Sequence, residues 1–359
     1  MKIGIMGLPQ AGKSTVFQIL TLAAGVPRSS EGRAEAHIGV IKVPDTRLDW
    51  LVALFQPKKA VSAIIQYQDM PPLSQGAGRV DAQILGQLRQ MDALLEVVRF
   101  FEDPRVPHAM GELDPGRDIG LIEDELILAD LEVVENRMER IELDYRKGNK
   151  EDKERESPSL ILCRDQLGKG GLLRDLEFPG DTGSLLRGYG LLTAKPLILL
   201  LNLGETQWSR RKEIRLEHQG LLAHKRTALV ELCAKLELEI AQLAEEDRDE
   251  FMREMGIGEL GLSLLVRTSY QLLGLLSFFT YMNEEVRAWT LPAGSSALQA
   301  AGAVHTDLER GFIRAEVIGF SELKDAGSLA SARKKGLLRL EGKEYVVQDG
   351  DVITIRFHI

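Results

Sequence analysis

A short glycine-containing segment near residue 10 has the residue types and the spacing of a phosphate-binding loop. Residues 7–15 read GLPQAGKST, and four of them fit the pattern G-x-x-x-x-G-K-[ST] without a mismatch: Gly7, Gly12, Lys13 and Ser14. In such a loop backbone N–H groups surround the phosphates, the lysine reaches the outer phosphates and the hydroxyl can ligate Mg²⁺. The alternative interpretation is a glycine-rich turn that binds nothing.

The residues on either side of this loop must position it. Residues 2–6 form a short run rich in isoleucine, which predicts a buried parallel strand, and residues 16–20 continue as an apolar helix. Phosphate binding requires a strand before the loop and a helix after it. This context favours a nucleotide site over a plain turn.

A second polar cluster follows the apolar run at residues 195–201. The run KPLILLL predicts a buried strand, NLGE follows at 202–205, and ligands of open α/β sheets bind outside such strand ends. Guanine-specific P-loop GTPases have N-K-x-D here, whose aspartate accepts hydrogen bonds from guanine. In this chain Glu205 places its carboxylate differently and Leu203 replaces the lysine that packs over the base. The cluster predicts a pocket able to accept adenine, and a strand end without a ligand is the alternative.

Composition limits the class of protein. At about 150 residues per domain, a chain of this length predicts two or three domains. Hydrophobic residues make up 44% and charged residues 28%, which excludes disordered and collagen-like classes. The net charge of −9 argues against nucleic-acid binding over the whole surface. Residues 118–187 contain 18 acidic and 11 basic residues, so the acidity is concentrated there.

Cysteine usage and hydropathy indicate the compartment. Cys163 and Cys233 have no metal-ligand spacing and cannot form a disulfide framework. Such cysteine usage is typical of a reducing environment. No apolar run approaches the roughly 18 residues that a membrane span needs. We therefore expect a cytoplasmic protein with no membrane partner, and a monomer.

Residues 118–187 are predicted to form a helical arm. Apolar residues recur there with the spacing of a coiled-coil seam: Ile127, Leu131, Val134, Met138, Ile141 and Tyr145. Residues 147–157 predict a charged turn, and residues 160–162 begin a returning helix, so the arm is an antiparallel hairpin. Because the seam covers fewer than three heptads, an ordinary amphipathic helix packed on its own domain stays open.

The last part of the chain predicts a mixed α+β domain. Strand patterns occur at 286–290, 311–318, 344–347 and 352–357, with a helix around 297–301. A basic cluster lies among them: Arg333, Lys334, Lys335, Arg339 and Lys343. Such a cluster suits RNA phosphate. A solvated helix end is the alternative, because no aromatic side chain interleaves it.

The loop, the N-x-x-E element and the C-terminal runs LQAAGAVHTDLERGFIRAEVIGF and LRLEGKEYVVQDGDVITIRF resemble the Obg-like ATPase (YchF) family of translation-factor-related P-loop proteins. The resemblance extends along nearly the whole chain. It implies an α/β fold with an Obg-type P-loop nucleotide-binding domain at 1–273, a helical coiled-coil insertion at 118–187 and a β-grasp TGS domain at 274–357. It also implies hydrolysis of ATP in preference to GTP, Mg²⁺ as cofactor, and association with the ribosome or ribosomal RNA.

The resemblance assigns the site residues one by one. The residues expected to bind nucleotide are Gly7, Gln10, Ala11, Gly12, Lys13, Ser14, Thr15, Asn202, Leu203, Glu205, Cys233 and Ala234. Within this set Gln10 and Ala11 replace the usual Asn-Val, Leu203 contacts adenine through its backbone, and the Cys233-Ala234 loop supports the base. Ser14 and Asp69 are the expected metal ligands.

The departures from the family pattern fall on the catalytic side. The switch sequence D-I-A-G-L is Asp69-Met70-Pro71-Pro72-Leu73 here, so a proline without an N–H replaces the glycine that senses the γ-phosphate. Only Gly76 and Gly78 remain of the following glycine-rich tract, and the first-switch threonine, expected near Arg33, has no clear equivalent. The chain resembles a divergent member with degenerate switch regions, in which binding survives better than turnover.

His108, in VPHAMG, matches the histidine that the family is thought to use to position the attacking water. An imidazole can orient a water and titrates near neutrality. The alternative is a solvated surface histidine beside proline. Two functions follow: an ATPase of low activity with Lys13 and His108 as catalytic residues, or a non-hydrolysing nucleotide-binding scaffold that binds ribosome or RNA through its TGS domain.

Overall fold

The computed structural model describes residues 1–23, 37–73, 80–147, 151–178, 186 and 188–358. Its strands are β1 (Lys2–Met6), β2 (His37–Lys42), β3 (Lys59–Val61), β4 (Ile64–Asp69), β5 (Ala93–Arg99), β6 (Leu197–Asn202), β7 (Thr227–Leu232), β8 (Leu275–Met282), β9 (Glu285–Pro292), β10 (Phe312–Gly319), β11 (Arg339–Glu341) and β12 (Asp351–Phe357). Its helices are α1 (Lys13–Ala23), α2 (Thr46–Phe55), α3 (Ala82–Arg89), α4 (Pro115–Arg146), α5 (Glu151–Leu167), α6 (Glu205–Trp208), α7 (Arg211–Glu217), α8 (Ala234–Gln242), α9 (Glu245–Glu254), α10 (Gly261–Leu272), α11 (Ala297–Val304), α12 (Thr306–Arg310), α13 (Phe320–Ala326) and α14 (Leu329–Lys334). Among these residues no helix is both long and apolar enough to cross a membrane.

The chain divides into two compact units. The first contains Met1–Gly39 and Gln66–Leu265, and the second contains Val40–Ile65 and Val266–Ile359. The segment Val40–Ile65 lies inside the expected 1–273 domain but clusters with the C-terminal residues. The predicted domain ranges themselves remain a prediction.

The sheet of the first unit has the strand order β2-β4-β1-β5-β6-β7, and β1 pairs in parallel with β4 and β5. Every residue of β5 and β6 is buried, as expected for apolar strands of a parallel sheet covered on both faces. β4 ends at Asp69, β5 at Arg99 and β6 at Asn202. Because parallel strands end at one edge of the sheet, these three residues share an edge with the loop after β1. The predicted α/β P-loop fold is confirmed.

The insertion combines both interpretations that the sequence left open. Asp114 caps the start of α4, since its Oδ1 accepts the backbone N–H of Arg117 at 3.0 Å. The first turns of α4 pack on the core of the sheet. The later turns pack against α5 through Ile127, Val134 and Ile141, whereas Tyr145, at the end of the seam, is exposed.

The returning helix begins earlier than predicted. α5 starts at Glu151, inside the expected charged turn, and contains Pro158. The side chain of Arg137 on α4 pairs with Glu156 on α5 at 2.8 Å and with Asp152 at 3.2 Å. These acidic residues therefore belong to α5 and not to a turn, and their ion pairs with Arg137 join the two helices.

The second unit contains a sheet with the order β11-β10-β12-β8-β9-β3. α11 and α12 contribute apolar side chains to the core on this sheet. The predicted strand at 344–347 is wrong, since only an isolated bridge joins Val346 to Ser296. The backbone there bonds instead to the start of α11, where Ala297 donates its N–H to Tyr345 O at 2.8 Å. The unit mixes strands and helices as a β-grasp does, and the TGS assignment stays a prediction.

Candidate nucleotide-binding site

The loop between β1 and α1 has a backbone that its glycines make possible. Gly7 and Gly12 have φ values of 148° and 98°, which disfavour side chains. A Cβ on Gly7 would lie 2.6 Å from Val97 O, and a Cβ on Gly12 would lie 2.2 Å from Asn202 Nδ2. Both glycines are therefore required by conformation and by space.

The side chain of Lys13 folds back onto the loop. Its Nζ donates hydrogen bonds to Gly7 O at 3.0 Å and to Leu8 O at 2.9 Å. Burial lowers the pKa of Lys13 to about 8, and the nearby charge of Asp69 opposes that shift. The loop thus holds this ammonium close to a carboxylate at the end of β4.

A cavity of about 790 Å³ opens in front of the loop. Its lining includes Gln10, Gly12, Lys13, Ser14, Thr15, Asp69, Pro71, Pro72 and Phe101. We call it the phosphate cavity. It brings five residues of the expected phosphate-binding loop and both expected metal ligands to one place, whereas Gly7 and Ala11 of the expected set do not line it. Ser14 and Asp69 offer oxygen atoms, the donors that Mg²⁺ prefers, so the residues present fit this ion.

A second cavity of about 670 Å³ adjoins it and shares Gly12, Thr15 and Phe101 with it. We call it the base cavity. Its lining includes Asn202, Leu203, Glu205, Cys233 and Ala234 from the predicted set, together with the loop residues Glu102, Asp103, Pro104 and Arg105. A ligand with a polyphosphate at one end and a ring at the other matches two joined cavities of this kind.

Asn202 connects the two predicted binding loops. Its Nδ2 donates to Ala11 O at 3.0 Å, and its Oδ1 accepts the N–H of Ala234 at 3.1 Å. The side chain is almost fully buried. Because it bonds to both loops, Asn202 fixes the phosphate loop relative to the start of α8.

The other residues of the N-x-x-E element have different roles. The side chain of Leu203 is buried in the core, and its N–H donates to Leu232 O at 2.8 Å. Leu203 lines the base cavity, but its side chain does not cover that cavity as a lysine side chain would. The Glu205 carboxylate pairs with Lys235 Nζ at 2.5 Å at the cavity rim.

The structure does not place His108 in the phosphate cavity. Its Nε2 lies 2.8 Å from Asp118 Oδ2, and its Nδ1 accepts the N–H of Met110 at 3.1 Å. The side chain is 6% exposed, so it is not a solvated surface group either. It lines a water-sized cavity with Leu8 and Glu96. Both ring nitrogens are engaged, since acceptance at Nδ1 leaves Nε2 to donate to Asp118.

The sequence reasoning missed the loop that follows β5. Residues 101–105 contribute to the wall of the base cavity, and Phe101 lines both cavities. One available signal was position, because this loop leaves a buried parallel strand at the same edge as the phosphate loop.

The C-terminal basic cluster is partly neutralised within the second unit. Arg333 pairs with Glu316 at 2.9 Å, and Arg339 pairs with Glu322 at 3.2 Å. Two of the five predicted basic residues thus have acidic partners, which reduces the local positive charge available to phosphate.

A lysine-bearing glycine loop between the first strand and helix of a parallel sheet, with polar strand ends beside it, defines a P-loop NTPase-class protein. Residues 275–358 match the protein-family model YchF-GTPase_C, which is described as "Protein of unknown function (DUF933)".

Full-length relatives define the family. The chain is 39% identical to the Ribosome-binding ATPase YchF of Bacillus subtilis, with 99% of each chain covered. It is 37% identical to the protein of that name from Escherichia coli O157:H7, covering 100% of this chain and 99% of the other. The solved structure of the Schizosaccharomyces pombe YchF GTPase matches with a TM-score of 0.86 and 29% identity, covering 99% of this chain and 97% of that one. The chain belongs to the YchF family, and the predicted resemblance is confirmed.

Proposed function

We propose that this protein binds ATP, and GTP more weakly, and hydrolyses ATP to ADP and phosphate in association with the ribosome. The observation that carries the proposal is the pair of joined cavities, with Lys13 in one and Asn202 between the loops of both. The bacterial relatives named as ribosome-binding ATPases support the ATP and ribosome assignments. A cytoplasmic location accompanies this function.

Lys13, Ser14 and Asp69 form the charged end of the site. Ser14 and Asp69 would hold Mg²⁺, which would neutralise charge on the phosphate oxygens. Lys13 adds a positive charge at the outer phosphates, and the backbone N–H groups of the loop bind them. Catalysis in this class is mostly positioning and electrostatic stabilisation, so these residues carry most of it.

His108 acts in hydrolysis only after it leaves Asp118. In the arrangement described above both of its ring nitrogens are engaged by the protein. Once released, the imidazole orients the attacking water. Asp118 therefore sets how often the histidine is available, and for this reason we expect low activity.

The preference for ATP rests on the base cavity. Guanine recognition uses an aspartate at the last position of N-x-x-D, and here Glu205 has that position and is paired with Lys235. A carboxylate held by a lysine is less available to the N–H groups of guanine, whereas adenine does not depend on it.

The second candidate function is a non-hydrolysing nucleotide-binding scaffold for ribosome or RNA. Pro71 and Pro72 favour it, because they line the phosphate cavity where a backbone N–H would otherwise sense the γ-phosphate. In that case nucleotide stabilises the protein without being consumed.

Phosphate release from ATP and GTP by the wild type and by Lys13→Ala tests the proposal. We expect Mg²⁺-dependent release from ATP by the wild type alone, and cosedimentation of the wild type with ribosomes. Equal release rates for the two proteins would contradict hydrolysis at this site. Thermal stabilisation by ATP without release would establish the scaffold instead.

A further inference from the structure

Arg99, at the end of β5, closes the loop that follows it. Its Nε donates to Phe101 O at 3.1 Å, its Nη2 to Val106 O at 2.7 Å and its Nη1 to Pro107 O at 3.5 Å. The residue is 5% exposed. One guanidinium thus bonds to carbonyl groups at both ends of a seven-residue segment, which we call the Phe101–Pro107 loop.

The same guanidinium also packs on the ring of Phe101, with 4.4 Å between Arg99 Cζ and the ring centroid. This contact fixes the direction of the ring as well as the backbone. Phe101 is one of three residues that line both the phosphate cavity and the base cavity. The position of this ring therefore shapes the junction at which a nucleotide passes from phosphate to base.

Lysine could not reproduce this arrangement. A guanidinium presents five N–H donors in a rigid plane, so it can bond to several carbonyls while it packs on a ring, whereas an ammonium is a compact charge on a flexible stem. Burial lowers the pKa of the Arg99 guanidinium, and the nearby charges of Asp103 in the loop and of Asp118 oppose that shift.

We propose that Arg99 is a positioning residue for the nucleoside part of the ligand: it holds the Phe101–Pro107 loop so that the Phe101 ring forms a wall against the base and ribose. The inference rests on the proposed ATP binding and does not require hydrolysis. It separates two parts of the ligand, because the Arg99 guanidinium donates its hydrogen bonds to the Phe101–Pro107 loop and not to the phosphate loop.

Two probes read the two parts separately. Mg²⁺-ATP requires both cavities, whereas Mg²⁺-tripolyphosphate, which has no base, requires only the phosphate cavity. We expect Arg99→Lys to weaken ATP binding about tenfold, in the range for loss of an aromatic stacking contact. Tripolyphosphate affinity, measured by the same calorimetric titration, should change less than about twofold, because phosphate is bound by residues 7–15 and Arg99 donates its hydrogen bonds elsewhere.

Phe101→Ala tests whether Arg99 affects ATP binding through the Phe101 ring. We expect the same loss of ATP affinity, and no further loss in the double variant with Arg99→Lys, because coupled residues are not additive. Arg211→Lys is the matched control. Arg211 also packs on an aromatic ring at 4.4 Å, that of Trp208, and donates to Trp208 O, but it lines neither cavity. If Arg99→Lys does not fold, Arg99→Gln, which keeps an amide donor, replaces it.

Three outcomes would overturn the inference while leaving ATP binding intact: unchanged ATP affinity in Arg99→Lys, equal losses for ATP and tripolyphosphate, or additive losses in the double variant. A wild type that binds tripolyphosphate but not ATP would instead contradict the proposed function. The two failures are therefore distinguishable.

Discussion

The binding side and the hydrolysis side of the nucleotide site differ in how far their residues are assembled. On the binding side Lys13 faces Asp69, and Asn202 bonds to both binding loops. On the hydrolysis side Pro72, which has no N–H, stands at the switch-glycine position of the family pattern, and His108 is bonded to Asp118. Under the proposed function, we therefore expect nucleotide recognition and turnover to use separable structural parts of this protein.

The two sides also differ in what holds them. Asn202 is almost fully buried at the end of β6, and its side chain bonds to the backbone of the phosphate loop and of the start of α8, which leaves it little freedom. His108 lies in a loop and is held by a side chain that also pairs with Arg117 at 2.8 Å. A contact between loop and helix side chains can be exchanged without disturbing the sheet, so the hydrolysis side is the part that can rearrange.

Lys13→Ala gives the largest expected effect and tests whether the binding side is one functional unit. Loss of the ammonium at the outer phosphates should lower ATP affinity about a thousandfold, since charge-assisted contacts in a buried site are strong. Calorimetric titration measures it. Lys195→Ala is the matched control, because Lys195 Nζ also donates to two backbone carbonyls, Arg89 O at 2.9 Å and Met91 O at 2.5 Å, outside both cavities. A comparable loss of ATP affinity in the control would show that loss of any buried lysine weakens binding, and would contradict a specific role of Lys13.

His108→Ala tests the hydrolysis side alone. We expect kcat for ATP to fall about a hundredfold, the size typical of a lost acid-base or water-orienting group. ATP affinity should stay within about twofold, because His108 lies outside both cavities. His224→Ala removes another histidine paired with an aspartate at 2.8 Å, Asp175, and should leave kcat unchanged. A fall in ATP affinity with constant kcat in His108→Ala would show that His108 acts in binding, which contradicts the distinction between the two sides.

Asn202→Asp tests the connection within the binding side. The substitution keeps the shape of the side chain but places a carboxylate oxygen against Ala11 O in place of a donor. We expect about tenfold weaker ATP binding and a lower Tm, in line with a buried polar group that loses its partner. Asn136→Asp, on an exposed position of α4, adds the same charge and is the control. Normal ATP affinity in Asn202→Asp would show that ATP binding does not depend on Asn202.

Glu237 gives the smallest expected effect, a pH dependence of the free energy of unfolding that arises from a residue on the binding side. This residue lies on α8, the helix that starts at Ala234, and its carboxylate accepts the N–H of Gly261 and, at 3.0 Å, that of Leu262. Burial raises its pKa to about 7. A folded pKa above the unfolded value gives stability that is present at low pH and is lost as pH rises through 7. Between pH 6 and 8 the free energy of unfolding should fall by about 1 kcal/mol.

Thermal melts across that pH range check this effect. Glu237→Gln should lose the Glu237 contribution, whereas Glu239→Gln, at an exposed position of the same helix, should keep it. The same pH slope in Glu237→Gln as in the wild type would assign the titration to another group.

What the sequence could predict depended on how local the interactions are. The phosphate loop and β6 were predictable because their residues adjoin in the chain and follow the periodicity of a buried strand. Phe101 and Arg99 were not, because their role arises only when two strands end at the same edge. The pairing of His108 with Asp118 was missed because it depends on a loop folding back onto the start of α4. The grouping of Val40–Ile65 with the C-terminal residues arises from sheet pairing, since β3 pairs in parallel with β9.

Melting temperatures of the wild type with ATP, GTP and their non-hydrolysable analogues, all with Mg²⁺, show most directly whether the protein binds nucleotide independently of turnover. A ligand that binds only the folded state raises Tm in proportion to its affinity and concentration. We expect equal stabilisation by ATP and its analogue, because binding does not depend on turnover, and a smaller shift with GTP. No shift with any nucleotide, or a shift with GTP alone, would contradict it.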